Sequence, residues 1–127
     1  MTQEDKKLLL KDICARLPYW TKCWSPIAGN NLAYLTPVLY GNTCNCSLDG
    51  EFIKPYLRPM SSMTEEEIVE YDKLFTIYSD GDTCCENWEW MDFMNSHHFN
   101  YRGLIEKGLA LKAPEGMYNL KENKFRQ

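Results

Sequence analysis

The predicted fold depends on residues 34–54, which read YLTPVLYGNTCNCSLDGEFIK. Two pairs in this stretch, Gly41-Asn42 and Asp49-Gly50, are typical of two-residue hairpin turns, because Gly, Asn and Asp tolerate the positive φ angles that such turns need. The stretch therefore predicts two successive hairpins, and residues 19–57 as a whole are expected to form strands.

The two turns fix which side chains share a face, because neighbouring strands keep one register. Pairing Leu39 with Cys44 and Cys46 with Ile53 separates two sets. The predicted core face carries Leu35, Leu39, Cys44, Cys46, Leu48, Ile53 and Leu57. The opposite face carries Tyr34, Val38, Tyr40, Asn45, Ser47, Phe52, Lys54 and Tyr56. Pro55 has no N–H to donate, so the strand ladder is expected to stop near Lys54.

Helix-start signals flank the predicted strands. Thr2 followed by Asp5 predicts a first helix, which Pro18 ends. Ser62 or Thr64, each followed three residues later by Glu, starts a second helix. Thr83 opens a third helix, which ends near Ser96 and carries several aromatic residues.

The C-terminal part predicts a fourth, short helix over residues 101–107, capped by Asn100 and stopped by Gly108. The fold class is therefore α+β: an N-terminal helix, an antiparallel β-meander of three or four strands, then two to three C-terminal helices packed on one sheet face. We expect one domain over residues 1–127, with 119–127 as a flexible polar tail.

Composition limits the classes of function. A net charge of −4 argues against a general attraction to phosphate backbones. The apolar run at Leu8 to Leu10 is too short for a signal peptide or a membrane span. We therefore expect a cytoplasmic protein, without a membrane partner, whose six cysteines are reduced.

Some residues could carry chemistry. Cys44 with Cys46, the pair Cys84-Cys85 and the pair His97-His98 contain zinc-ligand types, but their spacing differs from the usual zinc knuckles. His97-His98 is better explained as a cap at the end of the third helix. Because nucleotide-loop, hydrolase and metalloprotease motifs do not occur in the chain, we expect no catalysis, no cofactor and no metal. A cysteine- or metal-dependent enzyme stays open as the third alternative.

The face opposite the predicted core is the candidate binding site. Aromatic and polar residues alternate there, as they do in the centres of protein interfaces. The partner-binding candidates are Tyr34, Tyr40, Phe52, Lys54 and Tyr56. A helix that covers this face would explain the same pattern. Stacking of single-stranded nucleic acid or a nucleotide is the second function left open.

Three stretches, residues 14–19, 53–64 and 97–118, carry a resemblance. Their distinctive parts are IKPYLRPMSSMT at 53–64 and HHFNYRGLI at 97–105, followed by APEGMY at 113–118. Here the chain resembles a family of small uncharacterised proteins encoded by bacteriophages and mobile elements of gut anaerobic bacteria, and residues 20–48 depart most from it. The resemblance implies a phage or mobile-element setting and assigns no activity or catalytic residues.

Together these features predict an accessory protein that acts in a bacterial host cell by binding another protein, such as a host enzyme or a defence component. Nucleic acid is the second choice as partner, and a homo-oligomer is left open.

Overall fold

The computed structural model describes residues 1–26, 31–45, 47–48, 52–78 and 88–118. Its helices are α1 (Gln3–Arg16), α2 (Pro37–Asn45), α3 (Glu65–Tyr78) and α4 (Trp88–Ser96), and its strands are β1 (Lys22–Trp24), β2 (Leu32–Tyr34), β3 (Lys54–Leu57) and β4 (Leu111–Lys112). Two short 3₁₀ turns, Leu17–Tyr19 and Met60–Ser62, follow α1 and β3. The α+β class predicted from the sequence is confirmed.

The predicted helix caps of α1 and α3 are present. The Thr2 hydroxyl accepts from the Asp5 N–H, and the Asp5 carboxylate accepts from the Thr2 N–H. Thr64 and Glu67 form the same reciprocal pair at the start of α3, so Thr64 rather than Ser62 is the cap. These bonds satisfy N–H groups that the first turn of a helix leaves without partners.

The first predicted hairpin is wrong, because residues 37–45 form the helix α2. Thr36 caps this helix by accepting from the Leu39 N–H, and Pro37 occupies its first position, where a missing N–H costs nothing. Leu39 and Thr43 lie one turn apart and are both buried. The Thr36-Pro37 helix start therefore outweighs the turn preference of Gly41-Asn42. The second predicted turn, Asp49-Gly50, lies outside the described residues.

The described strands form one mixed sheet in the order β2-β1-β3-β4. β1 pairs antiparallel with both β2 and β3, whereas β3 pairs parallel with β4. The predicted meander is corrected accordingly: β1, not a strand around residue 40, lies beside β3. The predicted end of the ladder near Lys54 is wrong: Pro55 pairs with Cys23, and β3 continues to Leu57, where it pairs with β4.

Two groups of buried side chains fill the interior. The main core joins α1, α2, the sheet and the segment after α4, through Leu9, Ile13, Cys23, Leu35, Leu39, Ile53, Leu57, Leu104, Leu109 and Ala110. A second cluster joins α3, α4 and the Met60–Ser62 turn around Phe93, Met94 and Phe99. Of the predicted core face, Leu35, Leu39, Ile53 and Leu57 are buried and Leu48 is half-buried, whereas Cys44 is exposed on α2 and Cys46 lies outside the described residues.

The segment after α4 forms turns where a fourth helix was predicted. The Asn100 side chain accepts from the Ile105 N–H, five residues on, and residues 101–107 that follow it form turns and no helix. Gly108 has the predicted left-handed conformation, with φ 75°, and Leu109 donates back to the Leu104 carbonyl at 2.9 Å. This closing pattern is the one that ends helices at glycine. It returns the chain to the core, where β4 joins the sheet. The predicted tail, 119–127, lies outside the described residues, as does the predicted cap Thr83.

Candidate functional site

One face of the sheet is lined by larger and less buried side chains than the other. The register places Lys22 opposite Tyr34, and Trp24 opposite both Leu32 and Lys54. Since directly paired residues share a face and neighbours along a strand alternate, these side chains lie on one side of the sheet. We call this surface the outer face; its residues on β1, β2 and β3 are Lys22, Trp24, Leu32, Tyr34, Lys54 and Tyr56. Cys23, Pro55 and Leu57 alternate with them and are buried on the other side.

The outer face exposes large apolar groups. Leu32 and Tyr34 keep 42% and 41% of their surface accessible, and Trp20, which precedes β1, keeps 54%. The Trp20 and Tyr34 rings meet edge to face with centroids 5.6 Å apart. Trp20 has a φ of 58°, a left-handed conformation that is rare for a bulky residue. The backbone thus holds an indole ring beside the edge strand in spite of a conformational cost.

Two lysines place positive charge among these rings. The Lys22 ammonium lies 5.9 Å from the centroids of both Tyr34 and Tyr118, and it donates to the Met117 carbonyl at 3.0 Å. The Lys54 ammonium lies 5.5 Å from the Phe52 centroid. These distances allow cation–π attraction. The outer face is therefore cationic as well as aromatic.

The structure brings together three of the five predicted partner-binding residues. Tyr34, Lys54 and Tyr56 share the outer face. Tyr40 does not belong to it, because it lies on α2 and packs partly against the main core. Cys44, one turn further along α2, raises the pKa of Tyr40 through the charge of its thiolate form and through a side-chain hydrogen bond. Phe52 precedes β3 and also packs partly against the main core.

Sequence reasoning missed Trp20, Trp24 and Leu32, and did not include Lys22 among the partner-binding candidates. The alternation in Lys22-Cys23-Trp24 was a signal for a strand with one buried side chain. The pairing partners of this strand were not indicated by any hairpin signal: β1 lies between β2 and β3, which places Lys22 and Trp24 in the middle of the outer face, Leu32 on the edge strand and Trp20 beside it.

The Tyr118 hydroxyl bridges the backbones of β1 and β3. Its hydroxyl accepts from the Lys22 N–H at 2.8 Å and donates to the Tyr56 carbonyl at 2.7 Å. Its ring stacks on the buried His98 ring at a centroid distance of 3.9 Å. Burial raises the Tyr118 pKa, so the hydroxyl keeps the proton it donates. The phenol replaces a direct strand-to-strand hydrogen bond.

The two histidines at the end of α4 have structural partners. His97 Nδ1 lies 2.8 Å from the Phe93 carbonyl, so His97 caps the helix as predicted, and its Nε2 lies 3.7 Å from Glu67. His98 is buried, with Nδ1 3.0 Å from the Thr21 hydroxyl. Arg58 makes a bidentate bond to Glu67 at 2.7 and 2.8 Å. These groups hold α3 and α4 against the end of β3.

The cysteines and acids of the described residues do not form a metal site. Cys14 and Cys44 are exposed and Cys23 is buried, all as free thiols. Across residues 1–26, 31–45, 47–48, 52–78 and 88–118, no three His, Cys, Asp or Glu side chains converge as metal ligands. The predicted Cys84-Cys85 pair lies outside these ranges. Within them, too, no helix is both long and apolar enough to cross a membrane.

A cleft of about 630 Å³ lies between the Met60–Ser62 turn and the segment that ends at Tyr118. Ser61, Thr64, Lys112 and Glu115 are among its lining residues. Arg58 also lines the cleft, but its guanidinium is already bound to Glu67 and to the Ser62 carbonyl. Positive and negative side chains therefore both line the cleft, and its charge favours neither an anionic nor a cationic ligand.

Comparison with known proteins gives no further assignment: no family model matches the chain, and no curated protein or solved structure is significantly similar to it.

Proposed function

We propose that this protein is a non-catalytic binding protein that recognises another protein through the outer face of its sheet. The observation that supports the proposal is the exposure of Trp20, Leu32 and Tyr34 side by side at the β2 end of the sheet. Isolated apolar side chains are common on protein surfaces, whereas a contiguous aromatic group marks an interaction site. Trp and Tyr are also the residue types that contribute most to binding energy at interfaces.

The biological setting is part of the same proposal. The resemblance of residues 14–19, 53–64 and 97–118 to phage and mobile-element proteins favours an accessory role in the cytoplasm of a bacterial host cell. The partner would then be a host enzyme or a defence component. A protein partner is also consistent with the net charge of the chain, since a charge of −4 gives no general attraction to a phosphate backbone.

The second candidate function is the binding of single-stranded nucleic acid or a nucleotide. Lys22 and Lys54 favour it, because lysines beside exposed aromatic rings suit a phosphate backbone with stacked bases. Such binding weakens steeply with salt. An affinity that falls by orders of magnitude between about 50 and 200 mM salt would identify this function.

Partner capture from host lysate tests the first proposal. The tagged protein is compared with the double variant Trp20→Ala, Tyr34→Ala, and captured proteins are identified by mass spectrometry. Val69→Ala is the matched control, since Val69 is 56% exposed but lies on α3. We expect the double variant to lose a partner that both wild type and control retain.

Equal capture by all three proteins would contradict the proposal. Light scattering of the wild-type protein shows whether the captured partner is a second copy of this chain.

A further inference from the structure

We infer that the partner segment that docks on the outer face is acidic and extended, with carboxylates placed over Lys22 and Lys54. This inference rests on the function proposed above and names the chemistry of its partner. The described residues of the outer face carry these two lysines and no carboxylate. The chain as a whole is negative, at −4, so a surface with two lysines and no carboxylate differs in charge from the rest of the chain.

The arginines and the outer-face lysines have different surroundings. Arg16, Arg58 and Arg102 each pair with an internal carboxylate, of Asp12 or Glu67. Neither Lys22 nor Lys54 forms a salt bridge with any other described residue. The contacts that the structure gives their ammonium groups are aromatic rings and the neutral carbonyl oxygen of Met117.

A carboxylate is a better acceptor for these ammonium groups than the groups they have. A lysine ammonium carries three N–H donors, and a charged acceptor makes each hydrogen bond shorter and stronger. The Met117 carbonyl accepts from one N–H of the Lys22 ammonium, so its other N–H groups can donate to a second partner. Packing against Trp20, Leu32 and Tyr34 would exclude water and strengthen the charge pairs, since attraction rises as the effective dielectric falls.

The positions of the two lysines indicate the shape of the partner. Lys54 pairs with Trp24, which lies two residues from Lys22 on the neighbouring strand. Strands are about 4.8 Å apart and rise about 3.4 Å per residue, so the two lysine Cα atoms are separated by about 8 Å. In an extended chain, alternate side chains lie on one side about 7 Å apart. A segment with acidic residues at alternate positions therefore matches the two lysines.

Anisotropy measurements with labelled probes test the inference. The probes are a short peptide in which Glu alternates with Thr, the same peptide with Gln in place of Glu, and an oligothymidylate. We expect the Glu peptide to bind more tightly than the other two. Lys22→Gln and Lys54→Gln should each weaken it about two- to five-fold, as is typical for one exposed ion pair. Lys11→Gln, a change at an exposed lysine on α1, is the control and should have no effect.

Three results would overturn the inference: no measurable binding of the Glu peptide, equal binding of the Gln peptide, or preference for oligothymidylate. The first two leave the proposed function intact if lysate capture still depends on Trp20 and Tyr34. Capture that does not depend on those two residues removes the proposed function itself, so the two failures are distinguishable.

Discussion

The Tyr118 hydroxyl donates to the Tyr56 carbonyl oxygen at 2.7 Å and thereby ties the C-terminal segment to the middle of the sheet. It also accepts from the Lys22 N–H, which belongs to the other strand at this position. Pro55, next to Tyr56, cannot donate to the ladder, so β1 and β3 have few hydrogen bonds of their own here. The Tyr118 hydroxyl therefore provides an acceptor for the Lys22 N–H and a donor for the Tyr56 carbonyl, in place of a direct hydrogen bond between the two strands.

Replacing Tyr118 by Phe should destabilise the protein by about 1–3 kcal/mol, because it leaves an N–H and a carbonyl without their partner. The ring and its stacking on His98 are kept, so the loss reports the hydroxyl alone. The measurement is the urea midpoint of unfolding, with an unchanged slope. Tyr56→Phe is the control, since the bond uses the backbone of Tyr56 and not its side chain. A midpoint unchanged by Tyr118→Phe would contradict the bridging role.

How far the sequence could predict the fold depended on whether the signal was local. The Thr2 and Thr64 caps follow from residues three positions apart, and both were predictable. Residues 37–45 carry two local signals in conflict: the Gly41-Asn42 turn pair, on which the prediction rested, and the Thr36-Pro37 helix start, which the prediction left out. The structure shows that the helix start prevails, with Leu39 and Thr43 buried one turn apart.

The candidate site was harder to predict, because it depends on contacts distant in sequence. Tyr34, Lys54 and Tyr56 were assigned to one face correctly, but through a hairpin that does not exist. Trp20 and Lys22 join that face only because β1 lies between β2 and β3. Tyr118 enters the same region from the far end of the described chain, and no periodicity in the sequence marks it. A contact made by one residue leaves no repeating pattern in the sequence from which it could be predicted.

The ion pair of Arg58 and Glu67 predicts a loss of stability in acid. Burial raises the pKa of Glu67, but hydrogen bonds from Arg58 and from the Thr64 N–H, with the Arg58 and His97 charges, outweigh it and hold the pKa below its usual value. A carboxyl group with a lowered folded pKa stabilises the fold above its unfolded pKa, about 4.3 for Glu. This stabilisation disappears as the pH falls through the folded value.

We therefore expect Glu67→Gln to lower the urea midpoint at neutral pH and to flatten the decline of stability below about pH 5. Glu66→Gln is the control, because Glu66 is exposed in the same turn of α3. If the variant at Glu67 lost stability with acid as steeply as the wild type, the ion pair would not be the source of the acid sensitivity.

The free thiols should differ in reactivity. Burial raises the pKa of the Cys23 thiol to about 12, whereas Cys14 and Cys44 are exposed. Because the thiolate is the reactive form, iodoacetamide should label Cys14 and Cys44 in the native protein and Cys23 only after unfolding. Peptide mapping by mass spectrometry gives the site of each label, with a denatured sample as the control. Native labelling of Cys23 at the rate of Cys14 would show that β1 opens readily.

Trp20 allows a test that separates binding from stability. Its φ of 58° costs a non-glycine residue about 1–2 kcal/mol, and glycine avoids this cost. Trp20→Gly and Trp20→Ala both remove the ring and its contact with Tyr34, but only the alanine variant keeps the strained backbone. Glycine has more conformational freedom than alanine in the unfolded chain, which offsets part of the gain from removing the strain. We therefore expect the glycine variant to be more stable than the alanine variant by about 1 kcal/mol.

Both variants should lose partner capture to the same extent, because the missing indole is common to them. Thermal unfolding measures the first difference and lysate capture the second, with Val69→Ala as the control for removal of an exposed apolar group. If the more stable glycine variant captured more partner than the alanine variant, Trp20 would act by supporting the fold of the outer face. Equal loss of capture at unequal stability would place the indole ring itself in contact with the partner.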